Sequence, residues 1–211
     1  FEHNKGERPK MDIRIGKTGS AAVILGAVGF AVCMLTGPIA LCYGSSIAIA
    51  LGLMLMNGAF YRFSRPDAKA AAMCAVAFGA IYTFCNVMVY FVQLSTVRNM
   101  ALTRVALQLL DYRTFGMMFD LDMLGYCLMA FSTFFAGLTI RVRDKGDRAL
   151  KILLLVHGVF APMCFLMPIL GLFSGDMQGA EWIGTAILEF WCAYFLPIGI
   201  LSYRYFSRQE S

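Results

Sequence analysis

The stretch "SAAVILGAVGFAVCMLTGPIALCYGSSIAIALGLMLMNGAFY", residues 20–61, contains no charged residue. As one helix it would run about 63 Å, twice the ~30 Å of a bilayer's hydrocarbon core. The chain must therefore turn inside it. Gly37-Pro38 and Gly44-Ser45-Ser46 are the breakers. Two membrane spans follow, over residues 20–42 and 45–63. Working outward, further long apolar runs predict spans over 69–93, 121–141, 149–173 and 181–203. The fold class is all-α: a polytopic membrane bundle of six transmembrane helices.

Composition agrees. The chain of 211 residues is 59% hydrophobic and only 15% charged, against about 25% charged in a soluble domain. Charge placement then sets topology. With the N-terminus in the cytoplasm, fifteen Lys and Arg fall in inner segments, and only Arg98, Arg104 and Arg113 fall outside. Both termini are expected inside, in a bacterial inner membrane. The organisation reads as a basic cytoplasmic segment over 1–19, a six-helix membrane domain over 20–205, and a cytoplasmic tail over 206–211. Met11 is a candidate native start, which would make residues 1–10 a leader. The first apolar run lacks a small-residue cleavage site and leads straight into a second, so it reads as a true span.

No basic run is interleaved with aromatics outside the spans, so nucleic acid is not an expected partner. The lipid bilayer is, with a small molecule, a membrane-protein partner or a second copy as the others. The seven cysteines fall inside apolar segments, form no C-x-x-C and are odd in number. They read as small buried side chains, with no disulfide framework or metal site. G-x-S-x-G, H-E-x-x-H and glycine-rich phosphate loops are absent from the sequence.

The polar residues inside the spans are the functional candidates, because hydrocarbon makes them costly. Glu189 is the lone carboxylate in "GTAILEFWCAYFLPIGIL", about 12 Å from the outer edge of the last helix. Burial favours the neutral form of such a group. It is a candidate ligand or proton carrier, or a hydrogen-bonded acid in a helix contact. Asp120 and Asp122 begin the fourth span, where a carboxylate suits a helix N-terminus. Asp122 and Tyr126 share a face. Asn86, Tyr90 and Gln93 fall at i, i+4 and i+7, a polar stripe on the third span. With Glu189 and Tyr194 they lie at one depth. Their convergence would make an outward-facing pocket walled by Phe91 and Trp191, as small-molecule sites are generally made. His157 is the only histidine in a span, so a bis-histidine haem or multi-histidine metal site is not expected, and no cofactor is implied. It is a candidate inner-side proton relay or a packing hydrogen bond. Pro162 and Pro168 are expected to kink its helix. Residues 98–112 are expected to form an interfacial or lid helix, with Met100, Val105, Leu109 and Tyr112 on one face.

The phrases "YFVQLSTVR", "FDLDMLGYCLMAFSTFFAGL" and "LEFWCAYFLPIGIL" resemble a group of bacterial multi-span membrane proteins of unassigned activity. That resemblance implies a bacterial inner-membrane protein and no activity. The architecture is also similar to the substrate-binding subunits of energy-coupling-factor vitamin transporters. That likeness implies six helices, both ends inside and a ligand in the outer half. The leading expectation is a protein that binds or transports a small molecule. The alternatives are an accessory subunit, and an enzyme acting on lipid with Glu189 or Asp122 as acid or base.

Overall fold

The computed structural model describes residues 10–172 and 181–209. Lys5 and Arg8 of the basic segment and the last two residues of the tail lie outside that range. Among the described residues eight α-helices follow one another: α1 Lys10–Thr36, α2 Ile39–Phe63, α3 Lys69–Val92, α4 Arg104–Leu110, α5 Met117–Thr139, α6 Lys145–His157, α7 Phe160–Ile169 and α8 Glu181–Ser207. Six membrane spans result: α1, α2, α3, α5, α6 with α7, and α8. The protein is a multi-pass membrane bundle. We call the end that carries Lys10 and Ser207 the inner end.

Helices dominate because backbone groups in hydrocarbon must pair within their own segment. The first turn is at Gly37-Pro38 alone. Gly37 takes φ +95°, a conformation open to glycine, and Pro38 precedes α2 with no amide to satisfy. The second expected breaker, Gly44-Ser45-Ser46, lies inside α2. There Ser45 packs against α1, its carbonyl beside Gly26. Lower down, α1 and α2 cross at paired glycines. A Cβ on Gly19 would sit 2.6 Å from the Gly52 carbonyl oxygen, and one on Gly52 would sit 2.7 Å from that of Gly19. Small residues permit this approach, which in lipid supplies the dispersion contact that apolar driving force cannot.

The remaining order is α3 between α2 and α5, α8 on α1, and α6 between α5 and α8. Asn57 holds the centre. Its amide donates to Ser132 Oγ at 2.8 Å and to the Ala75 carbonyl at 3.3 Å, and Ser132 donates to the same carbonyl at 2.8 Å. One amide thus joins α2, α3 and α5. Gly79 leaves the room, since a Cβ there would lie 2.4 Å from Asn57 Nδ2. At the inner end Arg62 pairs with Asp12 at 3.0 Å. Arg208 on the last turn pairs with Asp144 and with the fully buried Asp147.

One expectation needs correction and another holds. The lid helix over 98–112 is a seven-residue helix, α4, following a π turn over Gln93–Val97. Thr103 caps it by accepting from Ala106 N, and Asp111 ends it by accepting from Arg113 N. Its expected apolar face is split. Met100, Val105 and Leu109 are exposed, while Leu110 and Tyr112 pack inward. The fifth span breaks at Gly158-Val159, four residues before Pro162, where a proline removes the i→i−4 bond and crowds the Gly158 carbonyl, as expected of that proline. With the break made, Pro162 occupies the first turn of α7, where its missing N–H costs nothing.

Candidate functional site

The α3 stripe and the start of α5 meet in the outer half of the bundle. Asp122 lies five residues into α5, about 7 Å below its outer end. Tyr90 donates its hydroxyl to Asp122 Oδ2 at 2.8 Å and lies 3.3 Å, oxygen to oxygen, from the Tyr126 hydroxyl. Asn86 is close enough for its amide to interact with the same carboxylate. Yet both amide atoms of Asn86 and Oδ1 of Asp122 lack a hydrogen-bond partner. Asn86, Tyr90 and Asp122 are each no more than 2% exposed. Four of the expected site residues therefore converge: Asn86, Tyr90, Asp122 and Tyr126.

Tyrosines enclose them. Tyr43 from α2 stacks on Tyr90 with ring centroids 5.2 Å apart. Tyr112 from the outer segment lies 6.0 Å from Tyr90, and Tyr82 lies 6.3 Å from Tyr126. Beside Tyr43 an outer groove of about 240 Å³ opens, lined by the apolar Ile39, Ala40, Leu94 and Val97 and by the polar Gln93, Arg98 and Arg113. Arg113 grips Asp111 with two hydrogen bonds, at 3.0 and 2.8 Å. That pairing holds the Asp111 carboxyl below the usual carboxylate range and raises Arg113. Arg98 is exposed at the rim. Below, between Tyr82, Tyr126 and Trp191, lies a void of about 10 Å³, roughly one water.

Gln93 serves the outer segment rather than the carboxylate. Its Nε2 donates to the Leu110 carbonyl at 2.8 Å, and its Oε1 accepts from Tyr112 N at 3.1 Å. Trp191 and Tyr194 join His157. Trp191 Nε1 donates to His157 Nε2 at 3.1 Å, and an indole nitrogen can only donate. The imidazole is therefore neutral with its proton on Nδ1, which faces Thr133 Oγ1 at 2.8 Å. Thr133 passes its own hydrogen to the carbonyls of Met129 and Ala130. Tyr194 stacks over the ring and donates to the Leu153 carbonyl at 2.6 Å. Both ring nitrogens are occupied, which favours the packing role for His157 over the relay. It closes α6, about 9 Å beyond Lys151 and about 18 Å beyond Lys145.

Glu189 stands apart. It is half-buried, and its electrostatic neighbours are the thiols of Cys42 and Cys192. Oε1 is buried without a partner, and no hydrogen bond joins it to Asp122, Asn86 or Tyr90. Phe91 is 63% exposed and faces away from the cluster, so it is no pocket wall. Asp120 is exposed. Sequence reasoning missed Tyr43, Tyr82, Tyr112 and Asn57. Asn57 was visible as the lone amide of "LMLMNGAF". The tyrosines were not, because their nearness to Asp122 depends on contacts between helices.

All seven cysteines are free thiols. No group of three His, Cys, Asp or Glu suited to a metal occurs among the described residues. Comparison with known protein families, curated proteins and solved structures finds no match.

Proposed function

We propose that this protein binds and carries a small molecule through the outer half of its bundle, at a site centred on Asp122 and entered from the outer groove. The observation that carries the reading is the convergence of Asn86, Tyr90, Asp122 and Tyr126, with three unpartnered polar atoms, across Tyr43 from that groove. Buried polar groups without partners cost about 1–3 kcal/mol each, so a site that keeps them has a use for them. A lining that combines Ile39, Leu94 and Val97 with Arg98 suits a small amphipathic molecule with an acidic group. Tyr43, stacked on Tyr90, stands between groove and carboxylate. A shift of that ring would open a path from the groove toward the carboxylate. The charge distribution supports a bacterial inner membrane with both termini cytoplasmic, in line with the resemblance to bacterial multi-span proteins and to vitamin-binding transporter subunits.

The test is thermal unfolding of the detergent-purified protein with small organic acids, amines and neutral solutes. An acid present at a hundred times its Kd should stabilise the wild type by about 2.7 kcal/mol. Asp122→Asn and Arg98→Gln should each lose that gain. If no class of solute stabilises the wild type, or both variants respond as it does, the reading is wrong.

A second reading, an accessory subunit, draws on one feature. The outer part of the fifth span, α7, packs on α5 and leaves Met163, Phe165, Leu166 and Ile169 exposed. Lipid alone could cover that face. A partner retained through purification in mild detergent, and lost on Leu166→Lys, would favour this reading.

A further inference from the structure

The unpartnered atoms at Asp122 also say what the site holds. Asp122 Oδ1, Asn86 Oδ1 and Asn86 Nδ2 sit in the interior without a formed hydrogen bond, although the Asn86 amide is close enough to interact with the Asp122 carboxylate. Both side chains are about 1% exposed, so bulk water does not satisfy them. We propose that the Asp122–Asn86 pair is a proton-binding site, and that its proton is the ion coupled to the transport proposed above. The coupling rests on that transport reading; the site itself does not.

The chemistry of the two side chains supports a proton. With the proton bound, Asp122 Oδ1–H donates to Asn86 Oδ1. With the proton gone, the amide turns over about its terminal torsion and Nδ2–H donates to the bare Oδ1. An amide offers a donor and an acceptor of nearly the same shape, so it fits either state without moving a helix. Tyr90 donates to Oδ2 in both. The step is balanced: one O–H bond forms or breaks, the proton comes from or goes to the outer water, and the site's charge changes by one.

The groups facing Asp122 do not compete. From α3 they are Tyr82, Cys85 and Tyr90, and from α5 Tyr126. From α2 comes Tyr43, from the outer segment Tyr112, and from α7 Cys164. All are phenols or thiols. The nearest ion pair, Asp111 with Arg113, lies beyond Tyr43 and is internally neutralised. A metal cation fits worse. Hard cations take about six or more oxygen ligands, whereas two oxygens are unpartnered here and Asp122 lines neither the groove nor the void.

The test is infrared spectroscopy of the full chain in liposomes, titrated with pH in H₂O and D₂O without any solute. The wild type should show a protonated-carboxyl C=O band that shifts in D₂O and disappears as pH rises. Asp122→Asn should abolish it, and Glu189→Gln should keep it. Asn86→Leu should retain the band at higher frequency, its carboxyl having lost a partner, and should change the pH at which it disappears. That variant also decides the matter if Asp122→Asn fails to fold. A band lost in Glu189→Gln and kept in Asp122→Asn overturns the proposal. So does a band unmoved by Asn86→Leu, or one that responds to Na⁺ rather than to pH. A titrating Asp122 with no stabilising solute would leave the proton site and sink transport. Ligand binding lost in Asp122→Asn, with no titrating band in the wild type, would do the reverse.

Discussion

Replacing Gln93 by Leu separates a structural clamp from a ligand group. The substitution roughly keeps the volume and removes three hydrogen bonds: to the Leu110 carbonyl at 2.8 Å, to the Val89 carbonyl at 3.4 Å and from Tyr112 N at 3.1 Å. The Val89 carbonyl sits in α3 and loses little. Leu110 and Tyr112 are the real losses, one acceptor and one donor that bind the outer segment to the bundle. A buried group left unpaired costs about 1–3 kcal/mol. Both groups are only part-buried, so water recovers some of that, and about 2 kcal/mol is expected in total. That corresponds to about a thirtyfold rise in local opening. Hydrogen exchange, followed by mass spectrometry over residues 104–114, should accelerate by that factor while α5 stays protected. Gln93→Glu keeps the acceptor for Tyr112 N and should fall between. Unchanged exchange in Gln93→Leu would refute the clamp and return Gln93 to the list of ligand groups.

Gly79→Ala should destabilise the bundle by about 1–2 kcal/mol, read as a lower melting temperature, because the new methyl would push Asn57 Nδ2 from Ser132 and Ala75. Asn57→Ala in the same background should then add little. Trp191→Phe removes the donor to His157 Nε2, and the ¹⁵N shift of that nitrogen should move toward a free imidazole while Nδ1 keeps its proton. An unmoved shift would mean the indole bond does not form. Asp111 titrates below the usual carboxylate range because Arg113 hydrogen-bonds it. Its contribution is fully present above about pH 4 and is lost as pH falls through the lower folded value. Exchange protection over 104–114 should therefore drop only below about pH 4, and Arg113→Gln should remove that dependence.

The spans were legible because hydrocarbon leaves the chain few options. A charge-free run of 63 Å must turn, and the arginines and lysines mark its ends. The place of the turn was less legible. Gly37-Pro38 and Gly44-Ser45-Ser46 look alike as breakers. What separates them is that Ser45 packs against α1 and keeps its helix, a contact between helices that no local signal records. The break at Gly158 was legible by contrast, because it falls four residues before Pro162, where the ring disturbs the helix.

The candidate site shows why a polar stripe is a partial guide. Asn86 and Tyr90 lie on regular helix, and the i, i+4 rule aimed both at Asp122. Gln93 opens the π turn over Gln93–Val97. Its own N–H still bonds the Val89 carbonyl in the helical register, but its longer side chain reaches outward to the Leu110 carbonyl and Tyr112 N instead of Asp122. On α8 the sequence held its own warning. Glu189 and Trp191 are two residues apart, about 200° around a helix, and cannot face the same pocket. Trp191 faces α5 and His157, so Glu189 had to face elsewhere, and Cys42 is where it went. Of the two intramembrane acids, Glu189 stood out because its sequence surroundings are so apolar. Asp122 carries the stronger case because its surroundings in space are not: a phenol bonded to one oxygen, an amide close to the carboxylate, and a groove beyond Tyr43.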